Sequence, residues 1–172
     1  MRNTVIKIVK KLSKLTALVV VILLSFSFTS IQWEKNKKSR IKIHNSISNL
    51  FISETYSIEK FNNNDFIVIK ENEKTIGYLL VTQALSKNTL FDYYIIYDKH
   101  AEILKVEVLT YRENHGYEIC NNRWLKQFIG INSTSEFQYN NQVNAISGAT
   151  ISVNSIKSSI YYNTQDLKII IK

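Results

Sequence analysis

A run of uncharged residues from Leu15 to Trp33 constrains this chain more than any other sequence feature. Its 19 residues would span about 28 Å as a helix, close to the hydrocarbon thickness of a bilayer. Trp33 falls where an interfacial aromatic side chain would lie. Basic residues flank the run on both sides: Arg2, Lys7, Lys10, Lys11 and Lys14 before it, and Lys35, Lys37, Lys38, Arg40 and Lys42 after it. Residues 1–33 therefore predict one N-terminal transmembrane helix, and the basic flanks argue against a buried soluble helix.

A cleaved signal peptide is the alternative interpretation of the same run. Ser25-Phe26-Ser27 and Ser27-Phe28-Thr29 are poor small-x-small cleavage sites, so a retained anchor is favoured. Basic residues are balanced across the run, and the positive-inside rule therefore gives almost no bias. The short N-terminal flank places the N-terminus in the cytoplasm by default. We then expect a polar connector over residues 34–45 and a C-terminal domain on the outer face of the cytoplasmic membrane.

The charge distribution also excludes some function classes. The net charge is +8, but the basic residues that flank the apolar run exceed this excess, so the rest of the chain is close to neutral. We therefore expect a membrane as partner and no nucleic acid. The single cysteine, Cys120, allows no intramolecular disulfide and is interpreted as a small buried residue. The histidines at 44, 100 and 115 lack ligand spacing, so no metal site is predicted.

Residues 46–172 predict an α+β domain in which an antiparallel sheet is flanked by helices. Apolar residues spaced three and four apart predict a helix within Ser46–Lys60. In one later segment Leu104, Val106 and Val108 alternate with Lys105, Glu107 and Leu109, which is typical of a strand with one face on a core. Strands are predicted where β-branched and aromatic residues dominate, namely at Phe66–Lys70, Thr75–Thr82, Phe91–Tyr97 and Ile103–Tyr111.

The C-terminal part predicts helices set apart from the strands. Glu118–Ile129 carries an apolar stripe and is followed by Gly130, a typical C-terminal stop. A polar loop follows over Asn132–Gln142, and a short helix begins near Thr150. Leu167–Ile171 is a final apolar segment that we interpret as an edge strand.

One short motif carries chemistry, the segment Ser147-Gly148-Ala149-Thr150 with Ser152 close behind. It predicts a tight turn of small residues that leads directly into a helix. Gly148 permits a backbone angle closed to other residues, and free N–H groups at a helix start attract anions such as phosphate. An ordinary helix cap by Thr or Ser explains the residues alone equally well.

The motif resembles the flavin-attachment site of the FMN-binding domain family. That family includes FMN-bearing subunits of the Na⁺-translocating NADH:quinone reductase and of the Rnf electron-transport complex. Its SGAT threonine forms a phosphoester with FMN, which a flavin transferase installs outside the cytoplasm from FAD. The resemblance implies covalent FMN on Thr150, with Ser147, Gly148, Ala149 and Ser152 lining the phosphate.

Two further stretches strengthen the resemblance, which extends over residues 64–162. Tyr111–Gly116 resembles the family's Glu-Thr-Pro-Gly segment beside the flavin ring, with Glu113 and Gly116 at the matching positions. Arg123–Gly130 resembles its Trp-containing helix. The resemblance implies that Glu113 and His115 are charges beside the ring, and that Tyr111 and Tyr117 stack against it.

The chain departs from the family pattern at three places. Asn144 stands where the motif usually begins with Asp, Asn114-His115 replaces Thr-Pro, and Glu118 stands where a second Gly is common. Asn144 puts the covalent attachment in question, while the other two departures concern the pocket for the ring.

The resemblance implies a stand-alone, membrane-anchored electron-transfer flavoprotein. It would need a flavin transferase for maturation and redox partner proteins that the sequence does not identify. No residue is predicted to be catalytic, because FMN supplies the redox chemistry. Two alternatives stay open: a flavin-dependent reductase of a small substrate, and a flavin-free binding module with the same fold.

Overall fold

The computed structural model describes residues 36–53, 55–61, 64–131, 139 and 141–172. The predicted anchor, residues 1–33, lies outside the described residues. None of the helices within those ranges has the length and apolarity needed to cross a membrane. The chain divides into compact units Met1–Arg40 and Ile41–Lys172, and the sheet with its surroundings belongs to the second.

The centre of the second unit is a five-stranded antiparallel sheet in the order β1-β2-β3-β4-β5. Each strand pairs with its neighbours in sequence, so no connection crosses the sheet. The α+β class and the antiparallel sheet are confirmed. The elements are α1 (Lys37–Phe51), β1 (Ser57–Lys60), β2 (Phe66–Glu71), β3 (Lys74–Leu85), β4 (Leu90–Asp98), β5 (Ile103–Thr110), α2 (Asn122–Leu125) and α3 (Thr150–Ile170).

The four predicted strands are β2 to β5, but the helix predicted over Ser46–Lys60 is partly wrong. α1 begins earlier, at Lys37, within the segment predicted as a connector, and ends at Phe51. The apolar spacing extends backwards through Ile43, which is fully buried, as is Ile47. Residues 57–60 instead form the edge strand β1, which pairs with β2. The three-and-four spacing could not show that the chain leaves the helix after Phe51.

The sheet is covered on both faces, whereas the alternation in β5 predicted only one buried face. Tyr93 and Tyr97 of β4 belong to the main core with α3. The Tyr93 hydroxyl donates to Ser159 Oγ at 2.6 Å. Tyr94 points to the opposite face, where its hydroxyl lies 2.8 Å from Ser46 Oγ of α1. Side chains on both faces of β4 are therefore buried, which the alternation of apolar and polar residues in the sequence did not reveal.

A polar cluster fastens α1 to the second face. Glu107 of β5 accepts a hydrogen bond from the Tyr94 hydroxyl. It also forms ion pairs with Lys42 of α1 at 2.8 Å and with Lys105 at 3.0 Å. Lys105 Nζ also donates to Ser46 Oγ at 2.9 Å. Burial by itself raises the pKa of Glu107, but the hydrogen bonds from its three partners lower it below its ordinary value. The carboxylate is thus the common acceptor that joins helix and sheet.

Replacing Glu107 with Ala is expected to destabilise the fold by about 2 kcal/mol, because a buried hydroxyl and two ammonium groups lose their acceptor. The loss stays moderate because both lysines are partly exposed. Urea unfolding measures it, with the exposed Glu102→Ala as control. Because its pKa is lowered on folding, the contribution of Glu107 is present above its unfolded pKa and disappears as the pH falls through the folded value. Equal unfolding free energies for the two variants would contradict this role.

The C-terminal elements differ from the prediction in continuity. α3 runs unbroken from Thr150 to Ile170, and the edge strand predicted over Leu167–Ile171 is wrong. Leu167 extends the buried stripe of Ile156 and Ile160 along the same helix. A period-3.6 stripe can look like a short apolar strand when only its last turn is considered.

The helix predicted over Glu118–Ile129 is broken into three short pieces. Tyr117–Cys120 and Lys126–Phe128 are 3₁₀ turns, and α2 lies between them. The Asn121 side chain accepts from the backbone N–H of Arg123 at 2.8 Å, which restarts the helix as an N-cap. Gly130 follows with φ +74°, which confirms it as the stop.

Candidate functional site

The SGAT turn, residues Ser147–Thr150, leads into α3 as the sequence predicted. The Ala149 N–H donates to the Ile146 carbonyl at 3.2 Å. Gly148 has φ +77°, and a Cβ built there meets nothing within 4 Å. Thr150 is exposed, and no side-chain hydrogen bond caps the start of α3. The turn therefore presents an accessible hydroxyl-bearing residue beside a helix N-terminus that lacks a side-chain cap.

The segment after β5 packs directly onto this turn. Gly116 has φ +79°, and a Cβ built on it would lie 2.8 Å from the Ala149 Cβ. The Tyr111 hydroxyl lies 3.1 Å from Ser152 Oγ and donates to the His115 carbonyl at 3.1 Å. The fold thus brings together two predicted segments that lie far apart in sequence.

Glu113 is hydrogen-bonded to the loop between β3 and β4. Its carboxylate accepts from Ser86 Oγ at 2.7 Å and from the backbone N–H groups of Asn88 at 2.7 Å and Thr89 at 3.1 Å. These hydrogen bonds, of which that from Ser86 has the largest effect, lower the pKa of Glu113 to about 2. The described contacts give Glu113 the role of a loop anchor. His115 is exposed, and its carbonyl is the group that meets Tyr111.

A Glu113→Gln variant is expected to lose part of the acid sensitivity of the wild type. The folded pKa of Glu113, about 2, lies below the ordinary 4.5. Its stabilising effect is therefore complete above the unfolded pKa and disappears as the pH falls towards the folded value. Thermal melts at roughly pH 6 and roughly pH 2.5 measure this. The drop in Tm should be smaller in the variant; identical drops would show that Glu113 does not stabilise the loop.

The loop before the SGAT turn is held at its other end by side chains from α2, from the 3₁₀ turn that follows it, and from α3. The Trp124 indole N–H donates to the Asn144 carbonyl at 2.9 Å, and the Asn144 N–H donates to Gln127 Oε1 at 3.0 Å. The Lys157 ammonium of α3 donates to the Val143 carbonyl. Burial lowers the pKa of Lys157. Sequence analysis did not single out Gln127 or Lys157, since only the fold shows that they meet backbone groups of this loop.

A cleft of about 470 Å³ runs beside the same loop. Both Asn144 and Glu118, two departures from the family pattern, lie in its wall. Tyr117 lies outside this wall, is exposed, and contacts Tyr111 edge to face with ring centroids 5.6 Å apart. The cleft therefore offers hydrogen-bond donors and acceptors together with an indole. Its lining residues are Glu118, Asn121, Arg123, Trp124, Gln127, Asn144 and Ile146.

Comparison with known proteins identifies the family. A protein-family model described as FMN-binding domain matches residues 91–162, from β4 into α3. Over these residues the chain matches the FMN-binding domain family. The matched residues include every position predicted for the site, from Tyr111 to Ser152. No curated protein matches the chain significantly.

The residues of the FMN-binding domain fit this cofactor. Open space at Gly148 allows a phosphate to approach the backbone, and the helix start at Thr150 favours its charge. Close contact of Gly116 with Ala149 leaves a surface of small residues beside it. FMN supplies one- or two-electron chemistry when bound, and the chain positions it. Within the described ranges, no three His, Cys, Asp or Glu side chains form a group that could hold a metal ion.

Proposed function

We propose that the chain is an electron-transfer protein whose FMN is held as a phosphoester on Thr150. The observation that carries this proposal is the exposure of Thr150 at the start of α3, a helix of 21 residues without a side-chain cap. A phosphate esterified there meets the N-terminal N–H groups of the helix and the positive end of its dipole. The resemblance of the SGAT turn to the family's attachment motif supports the covalent bond.

The attachment would proceed by transfer from FAD. Thr150 Oγ1 would attack the phosphorus on the riboflavin side of the FAD pyrophosphate. The new Oγ1–P bond would replace the P–O bond to AMP, which would leave, and the hydroxyl proton would pass to a base of the flavin transferase. The chain contributes the acceptor oxygen and its presentation on an exposed turn.

Exposure of the turn also supports a relay in preference to a closed active site. Ser147, Gly148 and Thr150 all face solvent, so a flavin tethered there would be within reach of partner proteins. No nicotinamide fingerprint such as GxGxxG occurs in the sequence. We place this relay at the outer face of the cytoplasmic membrane, held by the predicted anchor, where the transferase would act.

The cleft beside the loop favours a second candidate function, a flavin-dependent reductase of a small substrate. Its wall carries the carboxylate of Glu118 and the guanidinium cation of Arg123 beside the Trp124 indole, which suits a polar planar molecule. Steady-state turnover by the flavin-loaded chain distinguishes the two functions. A relay passes electrons only between protein partners or artificial acceptors, whereas a reductase shows saturable turnover that Arg123→Ala weakens.

The intact mass of the full chain co-expressed with a flavin transferase tests the attachment. We expect a gain equal to FMN less one water, and peptide mapping should localise it to Ser147–Ser152. An unchanged mass would refute the covalent proposal. Orientation is tested separately by a C-terminal reporter that works only outside the cytoplasm; reporter activity confined to the cytoplasm would refute export.

A further inference from the structure

The backbone of Asn144 is held through both of its polar groups by side chains of one short helical stretch. Gln127 accepts from the N–H at 3.0 Å, and the Trp124 indole donates to the carbonyl at 2.9 Å. Gln127 Nε2 also donates to the Trp124 carbonyl at 3.1 Å, which fixes the amide that makes the first contact. We call Trp124 and Gln127 the Asn144 clamp. Both polar backbone groups of Asn144 are therefore hydrogen-bonded, as they would be beside a neighbouring strand.

The exposed part of the loop lies between the clamp and a second fixed point. At its far end Ala149 is buried against Gly116, and Ser152 meets the Tyr111 hydroxyl. The residues from Ala145 to Gly148 in between are exposed or half-buried. A short loop held at both ends loses much of its conformational freedom before any ligand arrives.

We propose that Gln127 is a positioning residue, which through the Asn144 clamp sets the SGAT turn in its final geometry before flavin is present. The role of the turn as FMN acceptor rests on the proposed function. Its positioning by the clamp does not depend on that function. The clamp contacts only the backbone of residue 144, which also lies in the wall of the cleft. Asn in place of Asp at this position therefore changes the charge of the cleft and leaves the path of the loop unchanged.

Amide hydrogen exchange on the flavin-free full chain tests the clamp directly. Gln127→Met removes both hydrogen bonds at similar volume, while Gln127→Glu keeps an acceptor for the Asn144 N–H. We expect exchange at Asn144–Gly148 to rise on the order of tenfold in the Met variant and to stay near wild type in the Glu variant. Asn144→Asp should exchange like wild type. Equal rates in the Met variant and wild type, or fast exchange in Asn144→Asp, would overturn the proposal.

Flavin transfer supplies the functional readout. If the turn is less often in its acceptor geometry, the KM of the transferase for the Met variant should rise on the order of tenfold, with kcat nearly unchanged. Faster exchange with an unchanged KM would overturn the positioning role and leave the proposed function intact. Absence of flavin from the wild type would refute the proposed function, while amide hydrogen exchange would still show whether the clamp holds the loop. Should Gln127→Met not fold, Gln127→Ala, which also lacks the side-chain amide, replaces it with the same expected outcomes.

Discussion

Thr150→Ala is expected to abolish covalent flavin, the largest effect of any single change in this chain. The ester needs an oxygen at the start of α3, and neighbouring hydroxyls are not placed to substitute. Ser152 is only 3% exposed and its hydroxyl lies 3.1 Å from that of Tyr111. Ser147 is exposed but precedes Gly148, whose φ of +77° redirects the chain before the helix begins.

The measurement is the flavin-to-protein ratio after denaturation, which removes any cofactor held without a covalent bond. Thr150→Ala should fall to background, whereas Thr150→Ser, which keeps a hydroxyl, should retain flavin. Ser147→Ala is the matched control, since it removes an exposed hydroxyl from the same turn and should load like wild type. Flavin that survives denaturation in Thr150→Ala, or disappears in Ser147→Ala, would move the attachment point elsewhere.

Gly116→Ala is expected to destabilise the chain by about 2–4 kcal/mol and to displace the SGAT turn. Part of the cost is the left-handed backbone at φ +79°, about 1 kcal/mol for a residue with a Cβ. The rest is overlap, because the new Cβ would lie 2.8 Å from that of Ala149 and 3.0 Å from the Tyr111 hydroxyl. The Ala149 Cβ is fixed to its backbone, so the two segments must separate to relieve that overlap.

Gly130→Ala separates strain from overlap, because Gly130 has nearly the same φ, +74°, and nothing within 4 Å of a built Cβ. It should cost only about 1 kcal/mol in urea unfolding. If both variants load flavin and unfold alike, the contact between Gly116 and Ala149 does not shape the site.

The sheet was predictable because its strands carry dense local signals. β2 to β5 are short β-branched and aromatic segments separated by polar turns, and the predicted bounds differ from those observed by a few residues at most. α1 was placed too late and β1 was missed. Residues 57–60 form a strand because they pair with β2, a partnership that the spacing of apolar residues does not encode. The family match over residues 91–162 likewise confirms a resemblance that short motifs in order had already indicated.

The roles within the site were less predictable. Glu113 was predicted to lie beside a flavin ring, and the sequence did not predict its described hydrogen bonds to Ser86, Asn88 and Thr89. That loop lies more than twenty residues away in sequence, so no local pattern connects them. Gln127 gave no motif signal, since an amide that meets a distant backbone looks like any half-exposed polar residue.

The sequence by itself determined the antiparallel strands, the turn at Gly148, the helix that starts at Thr150, and the FMN-binding family. These follow from local backbone preferences and from short motifs, which need no knowledge of distant neighbours. Only the tertiary structure decided that Gly116 lies against Ala149, that Glu113 anchors a loop, and that Asn144 is held by Trp124 and Gln127. Those relations join groups far apart in sequence, and their geometry exists only once the sheet and its helices have packed.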